Sequence, residues 1–101
     1  MSSELTNAQQ RFLRGLAHDL RPILQVGSKG VTEAFLAELQ LALEQHELIK
    51  VKVAAEDRED RNAMIAHLVE QSGAVLVQRI GHTAVLYRAS TERRHIVLPR
   101  P

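Results

Sequence analysis

Two hydrophobic periods alternate along this chain, and the places where they switch mark the expected elements. Ala8, Phe12, Leu13, Leu16 and Ala17 recur at helical spacing, so a first helix is predicted to bury that stripe, with Thr6 or Asn7 as its cap. Pro22 ends that region, and the apolar run 23–26 reads as a first strand. Helical spacing returns in Phe35, Leu36, Leu39, Ala42 and Leu43, behind Thr32 or Ser28 as cap, with Glu38, Glu44 and Gln45 expected to face water. Residues 48–54 switch to strict alternation: Ile49, Val51 and Val53 point one way, Lys50 and Lys52 the other. The two lysines mark either an exposed sheet face or a protected edge. A third helix, capped by Asp57 and stopped by Gly73, carries Met64, Ile65, Leu68 and Val69 on its core face. Residues 74–80 form a mostly apolar strand that the pattern places centrally, and 83–88 a fourth, linked through Gly81-His82 by a type II′ turn.

The order α-β-α-β-α-β-β predicts an α/β single domain, a mixed four-stranded sheet with three helices. Two right-handed crossovers make the first three strands parallel, and the hairpin makes the fourth antiparallel. A segment at Ile96-Val97-Leu98 is expected to dock against the domain, with flexible ends at 1–4 and 99–101.

Composition narrows the function. Aromatic residues are only 3% of the chain, and Phe12 and Phe35 fall in apolar helical patterns, so stacking of a single strand on exposed rings is not expected. There is no cysteine, which excludes disulfides, cysteine-ligated zinc and thiol catalysis. The start lacks the pattern of a signal peptide and no apolar run reaches spanning length, so a cytoplasmic protein without a membrane partner is expected. The five histidines fall at no metal-binding spacing, no nucleophile elbow or Walker loop is present, and the carboxylates of 56–60 have no nucleophile or pocket residue beside them. A non-enzymatic protein with no cofactor and no metal is the expectation.

Charge is segregated behind a net +1. Residues 1–30 carry Arg11, Arg14, Arg21 and Lys29; residues 31–49 carry Glu33, Glu38, Glu44 and Glu47 without Lys or Arg; residues 74–101 return to arginine. Such a molecule steers a polyanion by its local field rather than its total charge. Between the first strand and the second helix stands Gly27-Ser28-Lys29-Gly30. Such a loop is either an ordinary strand-to-helix turn or an anion site, with glycines admitting a phosphate to free backbone N–H groups and Lys29 adding a mobile charge. Arg11, Arg14 and His18 share one helix face, which is either a solvated face or an extension of that site.

Three blocks taken together, Gly15-Leu16-Ala17-His18, Gly27-Ser28-Lys29-Gly30 and His46-Glu47-Leu48-Ile49-Lys50-Val51-Lys52, resemble the CRM domain family, the chloroplast RNA splicing and ribosome maturation domain, and its bacterial stand-alone YhbY-like members. The resemblance spans about residues 5–98. It implies an RNA-binding domain with a fold similar to the C-terminal domain of translation initiation factor 3, a Gly-x-x-Gly loop compared with that of KH domains, and a role in assembling the large ribosomal subunit. The expected RNA contacts are Gly27, Ser28, Lys29 and Gly30, then Arg11, Arg14, His18 and Arg21, and beyond these Lys50, Lys52, Arg88, Arg93 and Arg94. The expected partner is ribosomal RNA, bound by a monomer. The rival is a protein-interaction module that meets a basic ribosomal protein through the acidic second helix.

Overall fold

A computed structural model describes residues 5–27 and 29–100. The expectations for 1–4, for Ser28 and for residue 101 therefore lie outside the described residues.

The first two helices start on a cap whose side chain bonds the first turn; Asp57, at the same position before the third, makes no such bond. Helix α1 (Asn7–Ala17) opens on Thr6, whose hydroxyl accepts from the Gln9 N–H while the Gln9 amide oxygen accepts from the Thr6 N–H, both at 3.1 Å. This reciprocal pair satisfies two N–H groups that the helix itself cannot. Helix α2 (Glu33–His46) opens on Thr32, which accepts from the Phe35 N–H. Helix α3 (Arg58–Ser72) follows Asp57 and ends at Gly73, whose φ of 76° is the left-handed conformation glycine adopts freely.

Strands β1 (Pro22–Val26), β2 (Leu48–Val53), β3 (Val75–Ile80) and β4 (Thr83–Tyr87) form one sheet in the order β1-β2-β4-β3. β1 and β2 are parallel, and β4 runs antiparallel to both its neighbours, so β1, β2 and β3 point the same way. The hairpin turn has Gly81 at φ 57° and His82 outside the left-handed region, as a II′ turn requires and a I′ turn does not. The predicted central place of β3 is corrected. β4 sits between β2 and β3, with Ala84, Val85, Leu86 and Tyr87 all buried, while β3 is an edge whose last residue, Ile80, is exposed. A strand covered on both faces reads as a continuous apolar run, and both β3 and β4 contain one. Only the pairing separates them.

The two sheet faces are covered differently. Ile49, Val51 and Val53 pack with Leu39, Leu43, Ile65, Leu68 and Leu86 beneath α2 and α3. On the other face Leu13 and Ala17 of α1 pack on Leu48, Val77, Val85 and Tyr87, with Leu5, Ile96 and Leu98 completing the cluster. Each fully buried leucine or valine there is worth about 1.5–3 kcal/mol relative to exposure. The expected α1 stripe is narrower than the pattern implied. Leu13 and Ala17 are buried, whereas Ala8 is exposed, Phe12 is 38% exposed and Leu16 44%. One helix laid on one sheet face buries only the residues aimed at the sheet, and among the described residues no further layer lies outside α1.

Candidate nucleic-acid interface

Register places the basic residues. On the α1 side of the sheet, Gln25, Lys52, Thr83 and Ile80 lie in one row across the four strands, and Pro22, Lys50, Val85 and Gln78 in the next. The rows are about 7 Å apart along the strands. Because β1, β2 and β3 run the same way, the first row borders the end where loop 27–30, the 54–57 connector and the Gly81-His82 turn emerge. This end is held together by backbone bonds from the Val53 N–H to the His82 carbonyl and from the Ala54 N–H to the Val26 carbonyl, at 2.7 and 3.0 Å.

Helix α1 crosses this face without covering all of it. Between helix and sheet runs an open groove of about 600 Å³, lined by Arg11, Arg14, Gly15 and His18 from α1 and by Lys50, Gln78 and Ile80 from the sheet. The Lys50 ammonium donates to the Leu20 carbonyl at 3.0 Å, which anchors it just beyond the helix and leaves two of its three N–H donors for other partners. The lysines of β2 thus mark an exposed face, not an edge. Lys52, exposed and paired in register with Gln25, carries the basic floor to within two residues of Gly27. Arg21, also exposed, lies on the link from α1 to β1.

Loop 27–30 is closed by a bond from the Gly30 N–H to the Gly27 carbonyl at 3.0 Å. The two glycines differ. Gly30 has a φ of 81°, which an L side chain adopts only under strain, whereas Gly27 has ordinary backbone angles. A Cβ built on either would meet nothing within 4 Å. Gly30 is therefore needed for the turn itself, and both positions leave the backbone open to close approach. Lys29 between them is exposed.

Arg88, Arg93 and Arg94 lie at the opposite end of the sheet, away from this loop. The Arg88 guanidinium donates to the Ser72 carbonyl at 2.7 Å, to the Gln40 carbonyl at 3.3 Å and to the Gln40 side-chain oxygen, with Glu44 at 3.9 Å. It joins α2, α3 and β4. Arg94 donates to the Ser90 carbonyl, and exposed Arg93 lies beside Glu44 and Glu92.

The acidic helix does not face water throughout, which corrects a second expectation. The Glu44 carboxylate accepts from the Ser90 and Thr91 hydroxyls and from the Thr91 and Glu92 N–H groups, at 2.7 to 3.2 Å. The hydroxyl bonds, that of Ser90 first, hold its pKa down to about 2. Glu47 is fully buried. Burial by itself raises its pKa, but the N–H groups of His95, Ser90 and Ile96 and the nearby His95 ring outweigh that and keep it below the usual carboxylate value. Two of the four glutamates of 31–49 are thus engaged by the C-terminal tail, so the rival protein-docking surface loses them.

Arg61 was not among the expected contacts. It ties the 54–57 connector to the hairpin turn, donating to the Ala55 and Glu56 carbonyls and lying 3.1 Å from His82 Nε2. Its sequence neighbours are equally charged, so no local signal separates it from them. Gln78 and Ile80 enter the groove only through the hairpin register.

The CRS1/YhbY (CRM) domain family matches residues 5–88, which contain every strand, every helix and the loop. This chain is a CRM domain. A protein of Haemophilus influenzae named "RNA-binding protein" is 51% identical over 96 residues, covering 95% of this chain and 96% of that protein. The Bacillus subtilis "Probable RNA-binding protein YqeI" is 48% identical over 95 residues, 94% of this chain and 99% of its own. The solution structure of a hypothetical protein from Staphylococcus aureus superposes with a TM-score of 0.81 at 41% identity, over 95% of this chain and all of that one. Both names are those of binding proteins, and neither denotes a reaction. No helix of this CRM domain is long and apolar enough to cross a membrane among the described residues.

Proposed function

We propose that this CRM domain binds RNA, with phosphates running along the groove between α1 and the sheet and over loop 27–30, and that its target is ribosomal RNA in precursors of the large subunit. The observation that carries the reading is the convergence of Arg11, Arg14 and His18 from one helix with Lys50 from a central strand in one open groove, floored toward the loop by Lys52. Four of these five residues carry full positive charge, and they come from two separate parts of the chain. A solvated helix face needs no such partner on the sheet. The relatives' names support RNA as the ligand, and the resemblance supports the ribosomal target. The chemistry is binding: cations displace counterions from the backbone, which makes affinity fall steeply with salt.

The test is a salt titration of binding to large-subunit RNA fragments. Arg11→Ala and Lys29→Ala should each weaken binding and make the slope of log K against log salt shallower by about 0.7–0.9. An unchanged slope removes that residue from the phosphate contacts. If both leave it unchanged, the groove-and-loop path is wrong. Co-migration of the tagged protein with large-subunit precursors on a sucrose gradient tests the target.

A further inference from the structure

We infer that the outward face of α1 stacks unpaired bases, with Phe12 as the stacking residue, so that the RNA taken by the groove is single-stranded where it crosses this helix; the inference rests on the RNA-binding reading above.

Phe12 is 38% exposed and Leu16, one turn later, 44% exposed. They lie on the flank of α1 next to Leu13, with Phe12 about 100° and Leu16 about 60° from it around the helix. The cations that line the groove sit on the other flank, across the outermost line of the helix, with Arg11 the nearest to the ring. Arg11 and Phe12 are separated by about 100° around the helix and 1.5 Å along it. Among the described residues, the helix carries only Ala8 and Gly15, the smallest side chains available, between the ring and the row Arg11, Arg14, His18. Side chains on a helix lean toward its N-terminus, so the residue three positions on from Phe12 would ordinarily lean over the ring's flank. Here that residue is Gly15, and nothing stands within 4 Å of where its Cβ would be. Among the described residues the path from the cations to the ring is therefore clear.

A surface with a cationic row on one flank and a part-exposed aromatic ring on the other has the two-sided chemistry of an unpaired strand. Phosphates meet the row, and the base attached to them reaches the ring. A duplex presents phosphates too, but keeps its base faces inside the stack and leaves the ring uncovered. Stacking of this kind tolerates any base, because every base has a π-face. The low aromatic content argued against stacking on the assumption that Phe12 was buried; its exposure removes that assumption.

The experiment measures affinity of the full chain for a mixed-sequence single strand and for a blunt-ended, fully paired duplex of the same composition. Phe12→Leu keeps an apolar side chain and loses the ring; it should weaken single-strand binding by about 5- to 10-fold and change duplex binding less than about twofold. Phe12→Tyr should keep the parental affinity for both. An Arg11→Ala chain should weaken on both RNAs, and an unchanged urea midpoint in each variant confirms the fold. A folded Phe12→Leu chain with parental single-strand affinity, beside a weakened Arg11→Ala chain, overturns the stacking inference alone and leaves the patch to a protein partner. Equal losses on both RNAs overturn it as well. A parental chain that binds neither RNA overturns the RNA reading and the inference with it.

Discussion

Replacing Glu47 separates the domain's structural carboxylates from its surface charge. Its carboxylate is fully buried and accepts from the Ser90 N–H on Oε2 and from the His95 and Ile96 N–H groups on Oε1, at 2.7, 2.9 and 2.9 Å. These bonds pull the tail across the end of the sheet, where Ile96 and Leu98 join the cluster under α1, and Gln9 of α1 donates to the Pro99 carbonyl at 3.0 Å. Glu47→Gln keeps the shape. Its amide oxygen can still serve His95 and Ile96, but its NH2 group then faces the Ser90 N–H, donor against donor. The loss is one charge-assisted bond, about 1.5–3 kcal/mol, with the Ser90 N–H left unsatisfied if the tail stays in place. We expect a destabilisation of about 2 kcal/mol, and about 3 kcal/mol for Glu47→Ala, which removes all three acceptor contacts. Because Glu47 has a φ of 66°, Glu47→Gly relieves about 1 kcal/mol of the backbone strain that alanine keeps, and should cost about 2 kcal/mol, close to Glu47→Gln. Urea unfolding measures the loss as a lowered midpoint at unchanged slope. Amide exchange should quicken first at Ser90, His95 and Ile96 if the tail detaches before the domain opens. The pH dependence has a definite sign. The Glu47 pKa is depressed in the folded state, so its contribution is fully present above the ordinary carboxylate pKa and is lost as pH falls through the folded value. Glu44 adds to this on the same side, its contribution disappearing as pH falls from about 4.5 toward its folded pKa of about 2. A Glu47→Gln chain whose urea midpoint and acid sensitivity both match the parent would refute this account of the tail.

Two further predictions concern stability and the loop. Arg88→Ala should destabilise the domain by about 1–2 kcal/mol, because the guanidinium bridges Gln40 and Ser72, yet leave the salt slope of RNA binding unchanged; a shallower slope at parental stability would place Arg88 in the interface instead. Gly30→Ala should cost about 1 kcal/mol or more, since its φ is 81°, while Gly27→Ala stays within about 0.5 kcal/mol. Thermal unfolding of the two single variants checks this, and equal losses would show that the turn does not distinguish the glycines.

The local elements were legible in the sequence because local chemistry decides them. Thr6 and Thr32 cap, Gly73 and Gly81 take the left-handed backbone, and the alternation of Ile49, Val51 and Val53 with Lys50 and Lys52 fixes which way β2 faces. The loop between β1 and α2 was visible for the same reason, and so was the basic face of α1. What no local pattern holds is which elements meet. The exchange of β3 and β4 between edge and centre follows from pairing, since apolar runs of equal length look alike until one acquires neighbours on both sides. That exchange sets Gln78 and Ile80 in the groove beside α1. Arg88, Glu44 and Glu47 read as surface charge, and tertiary contacts made them internal ties between helices, sheet and tail. Phe12 went the other way: its helical spacing with Leu13 and Ala17 marks it as core, yet with no layer outside α1 among the described residues it stays 38% exposed. Periodicity determines that a residue lies on an apolar stripe; only packing decides how much of that stripe is covered.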